Sequence, residues 1–324
     1  MGKNTIITIS ILFAVMIAGC RATVNVPLIS ATQALQEKVI EGEGKDKILL
    51  LDLSGFISGT RRSHSLFSKG PSLQEEIKEA LQKAERDDAI KGVILKINSP
   101  GGTVTSTDIL YHEMVSFKKK RGIRIVACMV DMAASGGYYI VTAADEIVAH
   151  PTSITGSIGV IALKFNVEGL LDRIGIKNET IKSVEMKDMW SPFRPSTEKE
   201  RNIIQKIIDR QHSIFIDAIK RGRKSLTEEE IKRLADGRIF TADQALEAGL
   251  IDGIGYLDDT IESLKRHLNI EKASIITYMR PGSYKGTIYS ATTSPPPGIE
   301  KFIPAGEKAW IPEAGIHFMY LWLP

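Results

Sequence analysis

Short apolar runs alternate along the chain with segments in which apolar residues recur at every third or fourth position. The first pattern is typical of buried strands, and the second of helices that pack one face against a sheet. The strand-like runs are 47–53, 92–98, 123–130 and 146–149. Two helical segments, 73–84 and 106–120, lie between them, and this strict alternation predicts an α/β fold with parallel strands and flanking helices.

Several helix starts are marked by capping boxes, in which a serine or threonine is followed three residues later by glutamate or glutamine. These pairs are Ser72 with Glu75, Thr197 with Glu200, Thr227 with Glu230 and Thr241 with Gln244. A short helix is also expected over 32–40, ahead of a Gly/Glu/Lys linker. From residue 197 onward the pattern is mainly helical.

The N-terminus has the pattern of a bacterial lipoprotein signal. Lys3 precedes the apolar run 6–17, which is too short to span a bilayer comfortably and has the length of a signal-peptide core. The run ends in Ile-Ala-Gly-Cys at 17–20, which resembles a lipobox. That resemblance implies cleavage before Cys20, lipidation of its thiol and a mature chain held on a membrane surface, facing outward from the cytoplasm.

The chain therefore divides into four segments. They are a signal peptide at 1–19, a linker at 20–45, one domain at 46–270 and an extension at 271–324 that is Pro-rich with an apolar end. The sequence GIHFMYLWLP at that end must be buried on the body, on another subunit or on lipid. Hydrophobic and charged contents of 43% and 25% are those of a globular protein, and a net charge of +3 gives no argument for a nucleic-acid partner.

The candidate functional residues lie in three glycine-containing turns. They are 98–102 (NSPGG), 135–137 (SGG) and 155–159 (TGSIG). In α/β sheets, sites collect at the carboxyl ends of strands, where the first two corners fall. Ser135 would stand there as a nucleophile, with the N–H groups of Gly102 and Gly136 facing a tetrahedral oxyanion. From the glycines alone, a phosphate or CoA cradle without a nucleophile is an equal alternative.

Four motifs in order, INSPGG, MAASGGYYI, TGSIGV and MKDMWSP, make the comparison specific. Together they resemble the signal peptide peptidase A (protease IV) family, which comprises serine peptidases with a Ser-Lys dyad on a Clp/crotonase-like fold. The resemblance covers roughly 47–270. It implies that Ser135 is the nucleophile, that Lys187, 52 residues later, is the general base, and that Ser157 hydrogen-bonds and orients the lysine amine.

Lysine can act as a base only when its amine is uncharged. A solvated lysine, with its pKa near 10.4, is neutral in roughly one molecule in a few thousand at pH 7. Burial among apolar groups lowers that pKa. Met186, Met189 and Trp190 flank Lys187 and are consistent with such burial, whereas a surface lysine on a loop is the ordinary alternative.

Other nucleophile and ligand patterns are weak. Clp-type peptidases have a histidine about 25 residues after the serine, and this chain has Val160 there; His150 precedes a proline and fits a strand end. Histidine, cysteine and carboxylates do not cluster at metal-ligand spacing, so we expect neither metal nor cofactor. Cys128 lies in an apolar run and is expected to be a buried small residue.

The family resemblance implies apolar, signal-peptide-like substrates with a small or apolar residue before the cut, and a homo-oligomer. Extended peptides usually bind by adding to a strand edge, and 159–166 (GVIALKFN) is a candidate lining strand. Two alternatives stay open. A crotonase-type acyl-CoA enzyme would bind CoA and survive Ser135→Ala, and a non-catalytic lipoprotein scaffold would need neither Ser135 nor Lys187.

Overall fold

A computed structural model describes residues 34–60, 63–65, 68–281, 286–290 and 318–322. The predicted signal peptide, Cys20 and most of the predicted linker lie outside these residues. Among the described residues, no helix combines the length and the apolar character needed to cross a membrane.

The strands, numbered in chain order, are β1 (Gln36–Glu41), β2 (Lys47–Ser54), β3 (Ser63–Ser65), β4 (Ser68–Lys69), β5 (Ile90–Ser99), β6 (Gly101–Thr103), β7 (Arg124–Ala134), β8 (Glu146–Ala149), β9 (Ile154–Gly156), β10 (Ile161–Ala162), β11 (Ile239–Thr241), β12 (Gly253–Ile254), β13 (Ser274–Met279) and β14 (Phe318–Leu321). The helices are α1 (Leu73–Ala84), α2 (Val104–Arg121), α3 (Gly136–Val141), α4 (Glu168–Arg173), α5 (Glu198–Gly222), α6 (Glu228–Leu234), α7 (Ala242–Glu247) and α8 (Leu257–His267). A 3₁₀ helix covers Glu185–Asp188.

The main sheet has the order β1-β13-β2-β5-β7-β8-β12, and β9 continues the edge of β7. Each pair of adjacent strands in the series β13-β2-β5-β7-β8-β12 is parallel, which confirms the predicted α/β class. A smaller sheet has the order β10-β14-β6. The expected helix over 32–40 is wrong, because Gln36–Glu41 pairs antiparallel with β13. Its Gln, Glu and Lys favour a helix locally, and only the distant partner strand supplies the extended backbone bonds.

All four predicted capping boxes are confirmed at the starts of α1, α5, α6 and α7. The strands of the central sheet are buried on both faces, and alternate residues face two separate apolar clusters. Leu49 and Leu51 join the cluster beneath the helices α1, α2 and α3, whereas Ile48 and Leu50 join the one beneath α8. The first cluster also holds α3, and so it fixes the corner at which α3 begins.

A buried lysine, Lys96, lies on the main sheet close to the C-terminal extension. The Lys96 amine lies 3.7 Å from the Asp52 carboxylate and donates to the main-chain carbonyls of Ile288 (3.2 Å) and Ser290 (2.8 Å). Burial lowers the pKa of Lys96, and the Asp52 charge opposes that change. Lys96 therefore ties the first part of the C-terminal extension to the sheet. Cys128 is fully buried beside it, as expected, and burial raises the pKa of its thiol to about 11.

Lys96→Met should lower the free energy of unfolding by about 3 kcal/mol, because it leaves the buried Asp52 carboxylate without this cation. Lys91→Met, on the same strand, is the matched control. Its side chain is 44% exposed and lies 3.9 Å from Asp46, so less than about 1 kcal/mol is expected. Urea unfolding measures both, and equal effects would contradict the role of the buried pair.

Candidate active site

Ser135 stands at the corner between β7 and α3. Its φ and ψ are 53° and −114°, a backbone conformation that a residue with a side chain rarely adopts. Its N–H donates to the Gly156 carbonyl at 2.7 Å, and its carbonyl accepts from the N–H of Tyr139 at 2.9 Å. The side chain is buried but does not cap the helix, and within the described part of the chain Oγ has no hydrogen-bond partner. Strained backbone of this kind is typical of functional sites.

Glycines line the approach to Ser135. A Cβ added to Gly101 would lie 2.7 Å from the nitrogen of Gly136, and one added to Gly102 would lie 1.9 Å from the carbonyl oxygen of Ile57. No side chain fits at either position, so the backbones of Gly101 and Gly136 approach each other closely. Gly102 directly follows Gly101, so the two proposed oxyanion donors, Gly102 and Gly136, lie on two stretches of main chain that meet at Gly101 and Gly136.

Ser157 is brought to the same edge of the sheet. Gly156, which precedes it, pairs in register with Ala134, which precedes Ser135. Ser157 is buried, has a positive φ of 49° and donates its N–H to the Arg238 carbonyl at 2.7 Å. The two serines thus follow neighbouring strands that end together, whereas their chemical roles stay predictions.

The C-terminal strand β14 lies directly beside these groups. It pairs antiparallel with β6 on one side and with β10 on the other. The described part of the apolar C-terminal stretch, residues 318–322, therefore packs on the body of the protein, one of the three expected places. Of the predicted lining segment 159–166, Ile161–Ala162 forms β10, and its contact with substrate stays a prediction.

The register of β14 directs one of its carbonyls at the glycines. Tyr320 is the partner of Gly102, and Trp322 donates its N–H to the Pro100 carbonyl at 2.9 Å. Because hydrogen-bonded pairs alternate in an antiparallel ladder, Tyr320 and Gly102 form the next such pair. The Tyr320 carbonyl oxygen also lies 2.0 Å and 3.1 Å from Cβ atoms built on Gly101 and Gly136. This peptide carbonyl therefore sits between the two glycine backbones.

The side chain of Tyr320 fills an aromatic pocket that the sequence did not reveal. Its ring stacks on Tyr139 at 5.2 Å between centroids and lies 4.8 Å from the ring of Phe215. Its hydroxyl donates to the main-chain carbonyl of Gln211 at 2.7 Å. Tyr139 is held in turn by Asp108, whose carboxylate accepts from its hydroxyl at 2.6 Å. The second tyrosine of SGGYY was the only local signal, and Phe215 looked like ordinary helix core.

Lys187 makes no hydrogen bond to Ser135 within one chain. It is exposed on the 3₁₀ helix, and the buried Oγ of Ser135 has no hydrogen-bond partner among the described residues. The expected burial by Met186, Met189 and Trp190 is wrong for the single chain, since these side chains are half-buried beside an exposed lysine. The segment that carries them packs little of its own surface on the domain.

An α/β sheet with a strained, buried serine at a strand-to-helix corner, beside backbone N–H groups and a peptide carbonyl, is the arrangement of a serine hydrolase. The model of peptidase family S49 matches residues 117–271. A protein of Enterococcus faecium named signal peptide peptidase SppA is 37% identical over 255 residues, 79% of this chain and 73% of that one.

Two further relatives agree. A Synechocystis protein named protease slr0021 is 36% identical over 216 residues, 66% of this chain and 72% of that one. Protease 4 of Haemophilus influenzae is 31% identical over 195 residues, 60% of this chain and 31% of that one. The chain belongs to peptidase family S49, the signal peptide peptidase A family, and is a serine peptidase.

Tyr320→Asp should expel β14 from the groove, because burying an unpaired carboxylate among aromatic rings costs several kcal/mol. An added apolar peptide would then no longer compete with a tethered strand, and its KM should fall about tenfold. Steady-state peptide hydrolysis measures this effect. Tyr289→Asp, in the same extension but outside the groove, is the control; an unchanged KM in Tyr320→Asp would show that β14 does not occupy the peptide site.

Proposed function

We propose that this chain is a membrane-associated serine endopeptidase that cleaves apolar, signal-peptide-like peptides through an acyl-enzyme, with Ser135 as nucleophile and Lys187 as general base. The observation that carries the proposal is the placement of a peptide carbonyl beside Gly102 and Gly136 at the strained Ser135 corner. The Enterococcus faecium relative is named as a signal peptide peptidase, and this supports the substrate class.

The chemistry follows from these positions. Ser135 Oγ attacks the peptide carbonyl carbon while its proton passes to the uncharged Lys187 amine. The carbonyl oxygen becomes an oxyanion and accepts hydrogen bonds from the N–H groups of Gly102 and Gly136. The lysine then returns the proton to the leaving amine, and the C–N bond breaks. Water hydrolyses the ester by the same steps, with Ser157 orienting the lysine amine throughout.

β14 indicates how a substrate lies in the groove. A peptide bound in the same way would run antiparallel to β6 and β10, and its backbone would be held by strand addition. The residue whose carbonyl reaches the glycines would place its side chain against Tyr139 and Phe215. That pocket accommodates a tyrosine, so we propose that large apolar or aromatic residues are accepted before the cut, as well as the small ones expected.

The base is proposed to come from a second copy of the chain. Ser135 Oγ is buried without a hydrogen-bond partner in the part of the chain that the structure describes, whereas Lys187 is exposed on a segment that buries none of its helical residues. A lysine can lose its proton near neutral pH only if something desolvates it, and the body of its own chain does not. Docking of this segment on a neighbouring copy would bury Lys187 and bring it to that copy's Ser135.

The segment 163–193, which we call the arm, has the surface that such docking requires. Its large apolar side chains that are exposed in the single chain are Leu163, Phe165, Leu170, Ile174, Ile176, Ile181, Val184 and Phe193. Phe165 is 73% exposed and Ile181 is fully exposed. Eight exposed large apolar side chains in one segment of 31 residues are typical of an interface, so the arm supports a homo-oligomer.

Membrane attachment is proposed through lipidated Cys20, which lies outside the described residues. A lipid-anchored domain outside the cytoplasm would meet apolar peptides at the bilayer surface where they are released. The acyl-CoA and scaffold alternatives are disfavoured by membership of a peptidase family, and a Ser135→Ala variant separates them further.

Ser135→Ala and Lys187→Ala should each lower kcat by at least about 10³-fold, because nucleophile and base act as a unit. If the dyad joins two copies, co-refolding the two inactive chains in equal amounts should restore roughly a quarter of the wild-type activity, since one neighbouring pair in four holds both intact groups. Peptide hydrolysis after mixing measures this recovery.

Lys177→Ala, an exposed lysine on the same arm, is the control and should retain activity. Undiminished hydrolysis by Lys187→Ala would exclude the dyad. Loss of activity in both single variants without recovery on mixing would place the dyad within one chain.

Ile181→Glu should weaken assembly, because it places a charge in the proposed apolar interface. The molar mass measured by light scattering should fall toward that of one chain, and activity should fall with it. Leu246→Glu, an apolar residue 41% exposed on α7 and outside the arm, is the matched control. An Ile181→Glu protein of unchanged mass would exclude the arm as the interface.

A further inference from the structure

The residue after the proposed base is a carboxylate, and this raises an electrostatic problem. Asp188 follows Lys187 in the exposed 3₁₀ helix. A free carboxylate so close to the lysine would stabilise the ammonium form and disfavour the uncharged amine that the proposed mechanism needs. The surroundings of Asp188 therefore bear directly on the base.

Arg194 binds the Asp188 carboxylate through two nitrogens of its guanidinium group. Its Nε lies 2.9 Å from Asp188 Oδ2, and one terminal nitrogen lies 2.9 Å from Oδ1 and 3.2 Å from the Asp188 main-chain carbonyl. Lys182 adds a third cationic contact, at 2.7 Å to Oδ1. These bonds, those from Arg194 above all, hold the pKa of Asp188 well below its usual range.

Arg194 is itself fixed to the body of the domain through Glu200. The Glu200 side chain is buried and accepts from two nitrogens of Arg194. The same carboxylate accepts from the N–H of Thr197 at 2.8 Å as part of the capping box of α5. Two-pronged contacts from a planar guanidinium fix orientation as well as distance. The 3₁₀ helix is thereby joined to a helix start that cannot shift freely.

Lys164 closes the network from the groove side. It follows β10 by two residues, and its amine donates to the Arg194 carbonyl and to Ser196 Oγ, each at 2.8 Å. It also lies over the Trp190 ring, 5.7 Å from the centroid. The loop that carries the proposed base is therefore held at its two ends, by the strand that borders the groove and by α5.

We propose that Arg194 is a positioning residue for the general base: it holds the Asp188 carboxylate away from the Lys187 amine and fixes the 3₁₀ helix to Glu200. This inference rests on the proposed function, because it assigns a role relative to Lys187. Arg194 touches neither Ser135 nor the strand in the groove; it acts through Asp188.

The charges around the base agree with this role. The ionisable side chains that face the 3₁₀ helix and the residues that hold it are Lys164, Glu168, Lys182, Glu185, Asp188, Arg194, Lys199 and Glu200. Glu185 pairs with Lys199 at 3.9 Å, Asp188 and Glu200 pair with Arg194, and the Glu168 charge acts on Lys164. Asp188, the carboxylate next to Lys187 in the sequence, is therefore already paired with a cation.

The test is the pH dependence of peptide hydrolysis by the full chain. Because Lys187 must be uncharged to act, activity rises as pH increases. Arg194→Gln leaves Lys182 as the one cationic partner of Asp188 among the described residues and so partly frees the carboxylate charge. The pH of half-maximal kcat should therefore rise by about one unit, and kcat near neutrality should fall about tenfold while KM changes little. Asp188→Asn added to Arg194→Gln should return the midpoint to the wild-type value, because the freed charge is gone.

Arg121→Gln is the matched control. Arg121 also binds a carboxylate, Asp88, and the main-chain carbonyls of Glu85 and Asp87, at the far end of α2. Its pH profile should equal that of the wild type. If Arg194→Gln does not fold, Arg194→Lys replaces it; a lysine keeps the charge but not the two-pronged grip, and a smaller shift in the same direction is expected.

A fall in kcat with an unmoved midpoint, or a shifted midpoint that Asp188→Asn does not reverse, would show a merely structural role and overturn the inference. Lys187→Ala in the same assay distinguishes failure of the positioning role of Arg194 from failure of the proposed dyad. If that variant is inactive and the Arg194 variants show no shift, only the positioning role fails. If Lys187→Ala stays active, the proposed dyad itself is wrong.

Discussion

The bond between the N–H of Ser135 and the carbonyl of Gly156 organises the site more than any other contact. β7 pairs with β8 over its first half and with β9 over its second, and this bond continues the second pairing into the corner. It holds Ser135 in a conformation that costs free energy, which the surrounding buried core must supply. In consequence Ser135, Ser157 and the glycine backbones all lie at one edge of the sheet.

The groove beside this corner is the space between the strands β6 and β10, and β14 occupies it. β6 and β10 each present an edge, and an extended segment between them satisfies the backbone groups of both. The chain's own C-terminus does this with an apolar sequence that would otherwise be exposed. Its Tyr320 joins a set of aromatic rings with Tyr139 and Phe215. A peptide substrate bound as we propose would use the same strand edges and the same aromatic pocket, and it would compete with β14 for them.

Unlike the groove, the arm is held to the body of the protein by ion pairs, because few of its side chains are buried. Its apolar side chains face solvent, and ion pairs join its 3₁₀ helix to α5. Polar clamps of this kind define orientation without a hydrophobic core of their own. An arm that keeps its shape while its apolar face is unpaired is suited to present a fixed group, Lys187, to a second copy.

The sequence by itself determined the α/β class, the strand and helix series, the capping boxes and the ordered glycine corners around Ser135. These features depend on residues close together in the chain, where periodicity and turn chemistry are decisive. Only the tertiary structure decided that Gln36–Glu41 is a strand, that Tyr320 fills the groove and that Lys187 is exposed in the single chain. Each of these features depends on residues that lie far away in the sequence. The local sequence pattern does not specify which distant strand edge, aromatic ring or charged group a segment will contact.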